Sequence, residues 1–423
     1  MDTGKLHLAT RHLPLAACYT IMTPEEQLRL LTQGAVNVVN EEELLAKLRQ
    51  GRPLRIKYGA DPSAPDLHLG HSVPLRRLRQ FQDLGHQIVF IIGDFTGRIG
   101  DPSGKSKTRP ILSEEQIQAN AHTYAEQVGR ILDVSRCEIR YNSEWFSQMS
   151  AADMLMLASH KTVARVLERN DFHLRMIAQV DISLLEMMYP LVQAYDSAEI
   201  HADVEIGGTD QLFNFLVGRD IMRAYGQEPQ VVMTWPLLVG LDGTDKMSKS
   251  LGNYVGIAEP AGEMFGKLMS IPDDLMPQYY RLLLDYGEEQ IAALRAEMAS
   301  GTLHPREAKA RLAESVTAQY RGAEAAREAR AEFDRIFSER QAPSEMPEVE
   351  VTEADLAGDG MRLVELIVRA GLAPSKSEAR RLVQQGAVRL AEENLQDENA
   401  QVKPRDGQVL QVGKRRFARV KTV

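Results

Sequence analysis

Between residues 54 and about 255, short apolar runs alternate with amphipathic stretches, and this alternation limits the fold more than any other feature of the chain. The runs 54–58, 87–92, 137–141 and 231–239 read as strands. The stretches 70–84, 114–132, 151–169, 182–196 and 211–224 carry a helical period. Strands separated by helices predict an α/β, doubly wound parallel-sheet domain with crossover helices on both faces. Ligands in such sheets bind beyond the carboxyl ends of the strands. The loops at 61–71, 93–109 and 244–250 each follow a strand, so they are expected to converge.

Those loops have chemistry in common. The first, Asp61-Pro62-Ser63-Ala64-Pro65-Asp66-Leu67-His68-Leu69-Gly70-His71, hands a strand over to a helix. Backbone N–H groups at a helix start are unpaired and carry the positive end of the helix dipole, which attracts phosphate. Gly70 has no Cβ to hold a ligand away. The second loop contains four glycines, Asp94 and Asp101, and the cations Arg98, Lys105, Lys107 and Arg109. Glycine-rich turns present N–H groups to anions, although the spacing here is not that of a Walker loop. The third, Asp245-Lys246-Met247-Ser248-Lys249-Ser250, places two lysines where they can swing onto a polyphosphate. Each loop alone fits a solvated surface. His-x-Gly-His followed by a lysine loop most of an α/β domain later fits a nucleotide site.

Charge is unevenly spread. The chain of 423 residues carries a net −9, yet residues 361–423 hold 13 Lys and Arg against 7 Asp and Glu. A basic module on an acidic body is a hint that the module has a functional partner of its own. Strand signals vanish from 256 to 341, where helices predict a separate α-helical domain. Pro343, Ser344, Pro347 and the acids up to Asp359 read as a linker over 342–360. Residues 361–423 then read as a small α+β domain. Residues 1–22 show no clear period and are expected to be a loose extension, with Met1 or Met22 as the start. No apolar run approaches the ~20 residues that span a bilayer. Cys18 and Cys137 are too few for a zinc cluster, so no protein-bound metal is expected and a reducing cytoplasm is the expected compartment. Trp145 and Trp235 carry no signal beyond packing, and Tyr195 reads as a core residue.

Residues 62–71 and 246–250 together resemble the signatures of class I aminoacyl-tRNA synthetases. The segments Tyr189-Pro190-Leu191-Val192-Gln193-Ala194-Tyr195-Asp196, Gly207-Gly208-Thr209-Asp210-Gln211 and Gly100-Asp101-Pro102-Ser103-Gly104-Lys105 resemble the amino-acid pocket of bacterial tyrosyl-tRNA synthetases. The tail resembles the small RNA-binding domain shared with ribosomal protein S-four. The resemblance runs from about residue 23 to the end. It implies a Rossmann-like catalytic domain over 23–255, with a dimer-interface insertion, and anticodon-binding helices over 256–341. It further implies tyrosine activation by ATP with Mg2+, transfer to tRNA(Tyr), and a homodimer.

Residue by residue, the resemblance puts Ser63, His68 and His71 on the ATP phosphates and Lys105, Arg109, Lys246, Lys249 and Ser250 on the departing pyrophosphate. Gly70, Gly208 and Asp210 would approach the nucleotide. Asp101, Tyr189 and Gln193 would hold the α-ammonium of tyrosine, Gln211 would lie near its carboxylate or the ribose, and Gly59 and Asp61 would border the pocket. Asp196 would read the phenol. Lys376, Arg380, Arg381, Arg389, Lys414, Arg415 and Arg416 would meet the RNA backbone. The sequence departs from the family at Lys57, where many members have a tyrosine. That lysine either pairs with Asp196 or points away and leaves the phenol to Asp196 alone. Tryptophanyl-tRNA synthetases share the fold and motifs but not the basic tail or Asp196. Small nucleotidyltransferases with His-x-Gly-His lack the lysine loop.

Overall fold

The computed structural model describes residues 22–62, 67–102, 113–337, 346–358, 360–391, 393–413 and 416–423. The expected N-terminal extension, but for Met22, lies outside them. The chain divides into two compact units, up to Ala323 and from Glu324 onward.

The first unit is built on a six-stranded sheet. Its strands are β1 (Asn37–Val39), β2 (Arg55–Ala60), β3 (Gln87–Ile92), β4 (Cys137–Tyr141), β5 (Val204–Gly208) and β6 (Val231–Trp235). They lie in the order β1-β6-β5-β2-β3-β4. The five strands from β6 to β4 are parallel, and β1 joins β6 antiparallel at the edge. The doubly wound expectation therefore holds. β5 and β1 were not anticipated. β5 is only Val-Glu-Ile-Gly-Gly, with an acid as its second residue and two glycines at its end, so it lacks the apolar run that marked the others.

The chain leaves β2 toward β3 and β4 on one side, and reaches β5 and β6 on the other. The strand order thus reverses between β2 and β5, and a crevice opens there beyond their carboxyl ends. Asp61 follows β2 and Thr209–Gln211 follows β5, so this crevice receives the motifs. Lys57 and Glu205 are register partners across β2 and β5, inside the sheet.

Helix boundaries follow local chemistry. The Leu184–Glu199 helix starts at a capping box, with Glu186 N–H donating to Ser183 Oγ at 3.1 Å and Ser183 N–H to Glu186 Oε2 at 3.0 Å. The single helix expected over 151–169 is broken into Ala151–Ser159 and Val163–Val166, with a further helix at Asn170–Ile177. Thr162 supplies the break, because its side chain caps Arg165 N–H and starts a new helix. Helices Ala261–Met269, Met276–Leu284, Glu288–Ala299 and Pro305–Arg321 follow. They pack within the same compact unit as the sheet: Arg76 and Arg77, on the Leu69–Asp83 helix, both pair with Asp285 at the end of Met276–Leu284.

The second unit contains a five-stranded sheet. Its strands are β7 (Glu348–Val351), β9 (Val388–Leu390), β10 (Glu393–Leu395), β12 (Val409–Val412) and β13 (Arg416–Thr422), in the order β10-β9-β12-β13-β7. β8 (Met361–Arg362) and β11 (Gln401–Val402) form a separate pair. Helices Leu363–Arg369 and Lys376–Gln384 bury Leu366, Ile367, Ala379 and Val383 against this sheet. Part of the expected linker is β7, which pairs in parallel with β13. Glu-Val-Glu-Val alternates acids outward with Val349 and Val351 inward, a period of two that the acidic composition masked.

Candidate active site

The turn at the end of β2 is held at both margins by the Glu114–Val128 helix. Asn120 Nδ2 donates to the Pro62 carbonyl at 2.8 Å, and Gln127 Oε1 accepts Leu67 N–H at 2.7 Å. Ser63 lies outside the described residues, as do Lys105 and Arg109.

His68 and His71 cap the Leu69–Asp83 helix reciprocally. Gly70 N–H donates to His68 Nδ1, and His68 N–H donates to His71 Nδ1, each at 3.2 Å. Both Nδ1 atoms are acceptors, so each neutral ring carries its proton on Nε2. The ring centroids are 3.9 Å apart. Burial pushes the His68 pKa down to about 2, helped by His71, Lys246 and Lys249, and burial with Lys246 pushes His71 to about 4. At neutral pH the pair therefore consists of two uncharged N–H donors. A Cβ at Gly70 would meet the His68 ring at 2.9 Å and Met247 at 3.6 Å. Gly70 is thus required by the histidine cap as well as by any ligand.

The segment just after the lysine loop is tied to the same turn. Leu69 N–H donates to the Val255 carbonyl at 2.9 Å and Ile257 N–H to the Leu67 carbonyl at 3.1 Å, while His68 bridges Gly256. Asn253, nearly buried, organises the loop: its Oδ1 accepts Ser248 N–H at 2.8 Å, and its Nδ2 reaches the Lys246 carbonyl at 3.2 Å and the Asp242 carboxylate. Lys246 Nζ sits 2.9 Å from Asp210 Oδ2, which joins the loop to the end of β5. Lys249 is half-buried, and Ser250 is exposed with its Oγ 3.0 Å from Ser248 Oγ.

The expected amino-acid pocket assembles around the Leu184–Glu199 helix. Tyr189, Gln193 and Asp196 are spaced by four and three residues and so share one face. Tyr189 Oη donates to Asp61 Oδ2 at 2.8 Å, and Thr96 Oγ1 donates to Asp61 Oδ1 at 2.6 Å. Gly93 packs against these groups, since a Cβ there would collide with Asp61 and Thr96. Gln211 Nε2 donates to Asp101 Oδ2 at 2.9 Å, and Gln193 Nε2 to Gln211 Oε1 at 3.3 Å. Asn214 donates to Gln193 Oε1 at 2.8 Å and accepts from Arg169 at 3.0 Å; Arg169 also lies 3.5 Å from Asp101. Asp61, Asp101, Tyr189, Gln193 and Gln211 therefore converge, with Gly208 beside Asp210 and Gly59 exposed at the end of β2.

Arg169 and Asn214 did not stand out in the sequence, and no local signal marks them. Trp145 is a correction. Its indole Nε1 donates to Asp196 Oδ1 at 3.0 Å, so it does more than pack. Asn142 Nδ2 approaches Asp196 Oδ2 at 3.5 Å and donates to Thr96 Oγ1 at 3.0 Å. Asp196 itself is only 3% exposed. Burial lifts its carboxyl to about 7 against the opposing pull of Lys57, Trp145 and Asn142. Tyr195, expected in the core, is half-buried, with its hydroxyl 3.1 Å from Glu199 Oε2.

Lys57 does not hydrogen-bond Asp196. Its Nζ lies 2.7 Å from Glu205 Oε1, 2.7 Å from Ser197 Oγ and 2.9 Å from the Gln193 carbonyl. The ammonium and carboxylate are 0% and 2% exposed.

In the second unit Lys376, Arg380, Arg381, Arg389 and Arg416 are exposed, while Lys414 and Arg415 lie outside the described residues. Lys376 pairs with Glu365 at 2.7 Å and Arg381 with Glu378 at 2.6 Å, whereas Arg416 donates to the Leu372 carbonyl.

Comparison with known proteins agrees with this geometry. Residues 49–338 match the family of class I tRNA synthetases for tryptophan and tyrosine. Residues 339–420 match the C-terminal domain of tyrosine–tRNA ligases. The tyrosine–tRNA ligase of Moorella thermoacetica is 54% identical over 400 residues, covering 94% of this chain and 96% of that one. That of Thermotoga maritima is 51% identical, covering 94% and 98%. The chain belongs to the tyrosine–tRNA ligase family. The tyrosyl-tRNA synthetase of Archaeoglobus fulgidus, solved with L-tyrosine, shares the fold with a TM-score of 0.60 at 26% identity, covering 73% of this chain and all of that one. The tail match and the named relatives settle tyrosine over tryptophan, which the first match leaves open. The reaction of this family is activation of tyrosine by ATP to tyrosyl-adenylate and pyrophosphate, followed by transfer to the terminal ribose of tRNA(Tyr).

Proposed function

We propose that the paired histidines and the lysine loop carry the adenylation step, and that the Tyr189–Asp196 face holds the amino acid. The carboxylate of tyrosine forms the new bond to the α-phosphorus, and the bond to pyrophosphate breaks. No side chain needs to act as nucleophile. The protein's work is positioning and stabilisation of the charge that builds on the phosphoryl oxygens. His68 and His71 donate Nε2–H to those oxygens, with Ser63 adding a hydroxyl. Lys246 and Lys249, with Ser250, Lys105 and Arg109, offset the charge of the departing pyrophosphate. The α-ammonium sits among Asp101, Tyr189 and Gln193, and Gln211 orients the carboxylate or the ribose. Gly70, Gly208 and Asp210 border the nucleotide, whose arrival releases Lys246 from Asp210.

The observation that carries this reading is the reciprocal histidine cap, which fixes two uncharged donors at a helix start, while the segment that follows the lysine loop, residues 255–257, is bonded to the same turn. Among the described residues no group of three His, Cys, Asp or Glu side chains could hold a metal ion. Mg2+ arriving on the ATP phosphates would supply further positive charge there.

The exposed cations of the second unit meet the tRNA backbone, through salt-dependent contacts that carry little sequence information. Leu155, Met156, Leu174, Ile177 and Leu184 are all more than half exposed on successive helices, and a second copy of the chain would cover them in a homodimer. Among the described residues no helix is long and apolar enough to cross a membrane. Amino-acid-dependent exchange of pyrophosphate into ATP tests the reading. Exchange with tyrosine supports it; exchange with tryptophan alone, or with no amino acid, overturns it.

A further inference from the structure

We propose that the phenol end of the pocket reads its substrate as a hydrogen-bond donor only: Asp196 accepts, and Lys57 positions the helix that carries Asp196 without touching the substrate. The inference rests on the assignment of Asp196 to the phenol made above.

Counting donors leads to it. An ammonium has three N–H bonds, and Lys57 has three acceptors: Glu205 Oε1 at 2.7 Å, Ser197 Oγ at 2.7 Å and the Gln193 carbonyl at 2.9 Å. The acceptors are fixed in turn. Ser197 Oγ donates to Glu205 Oε2 at 2.9 Å, and Gln230 Nε2 donates to the same oxygen at 2.7 Å. With the pair fully buried, turning Lys57 toward a ligand would strand the Glu205 charge, which costs several kcal/mol.

The donors that face Asp196 are spent as well. Trp145 has one N–H and gives it to Asp196. Asn142 has two, directed at Thr96 Oγ1 and at Asp196. None of these three side chains therefore keeps a free N–H for the oxygen of the phenol, while Asp196, in the ionised form that the Trp145 and Asn142 donors and a bound phenol O–H all favour, still has lone pairs for that O–H. Two of the three Lys57 acceptors, Gln193 and Ser197, flank Asp196 on one helix, so the lysine sets that helix against β2.

Such a site would accept any para substituent of the right size that donates, and reject those that only accept. The test is amino-acid-dependent pyrophosphate exchange by the full chain, using tyrosine, 4-aminophenylalanine, 4-fluorophenylalanine and phenylalanine. The amine of the second donates, and its lone pair is delocalised into the ring. The expected kcat/KM for 4-aminophenylalanine is within about tenfold of tyrosine, whereas the fluoro compound and phenylalanine, which give the buried carboxylate no donor in place of the phenol O–H, fall about a hundredfold or more below it.

In the Lys57→Met/Glu205→Gln variant, which removes both buried charges, rates should fall for all four substrates together. The ratio of tyrosine to 4-aminophenylalanine should stay within about threefold, the result for a residue that acts only through position. Exchange with tyrosine but none with 4-aminophenylalanine overturns this inference alone, as does a tenfold change of that ratio in the variant. Absence of exchange with tyrosine overturns the functional reading beneath it. Should the variant fail to fold, the wild-type series still decides the question.

Discussion

Replacement of His68 separates the two things the structure asks of it. His68→Ala removes the acceptor for Gly70 N–H and the ring that carries Nε2–H. Losing a helix N-cap costs about 0.5–2 kcal/mol of stability. Losing a preorganised donor to a developing oxyanion costs about 2.7–4 kcal/mol in the transition state, or about 10²–10³ in rate. His68→Asn is the discriminating variant, because asparagine is a favoured N-cap but its side chain is too short to carry a donor to where the imidazole Nε2–H reaches. Asn should restore stability to within about 0.5 kcal/mol of wild type and leave adenylate formation slowed a hundredfold or more. Denaturant unfolding followed by circular dichroism gives the first quantity, and single-turnover formation of tyrosyl-adenylate gives the second. Full recovery of the rate in His68→Asn would show that the histidine is only a cap and would refute its proposed contact with phosphate.

Two further outcomes can be checked on the same material. His68 and His86 are buried and His71 is half-buried, with pKa values of about 2, 4 and 4 for His68, His71 and His86 against an unfolded value near 6.5. As pH falls below about 6.5 the unfolded chain takes up protons that the folded chain refuses, so stability should drop, by on the order of 1–2 kcal/mol per histidine by pH 5. Denaturant midpoints that stay level or rise from pH 7.5 to 5 would contradict this. In the second unit, reversing Arg380 and Arg381 to Glu should weaken tRNA binding more at low than at high salt. The slope of log K against log salt should flatten by about 0.7 for each phosphate that is no longer neutralised. An unchanged slope would remove both arginines from the interface.

What the sequence made legible were features local in the chain. The helices expected over 70–84 and 182–196, the β2-to-helix turn and the lysine loop were all within reach, because helical period and strand-to-helix chemistry act over a few neighbouring residues. What it hid were partners brought together from far apart. Trp145 reaches Asp196 across 51 residues, Lys57 reaches Ser197 across 140, and Gln211 reaches Asp101 across 110. No period or spacing encodes such pairs. β5 stayed hidden because the acid within it, Glu205, is neutralised by Lys57 on the neighbouring strand, a fact visible only once β2 and β5 lie side by side. Asn253 was equally invisible as the residue that shapes the lysine loop, since its value lies in bonds to Ser248, Lys246 and Asp242 rather than in any motif.

In the proposed reading, adenylation is carried by the turn and the lysine loop, apart from the face that holds tyrosine. Lys249→Ala tests it most directly, with the rate of tyrosyl-adenylate formation and the Kd for tyrosine measured on the same protein. The account predicts a loss of about a hundredfold or more in the rate, with Kd for tyrosine unchanged within twofold, because the lysine acts on charge that exists only as pyrophosphate departs. A rise in Kd that matches the loss in rate would contradict it.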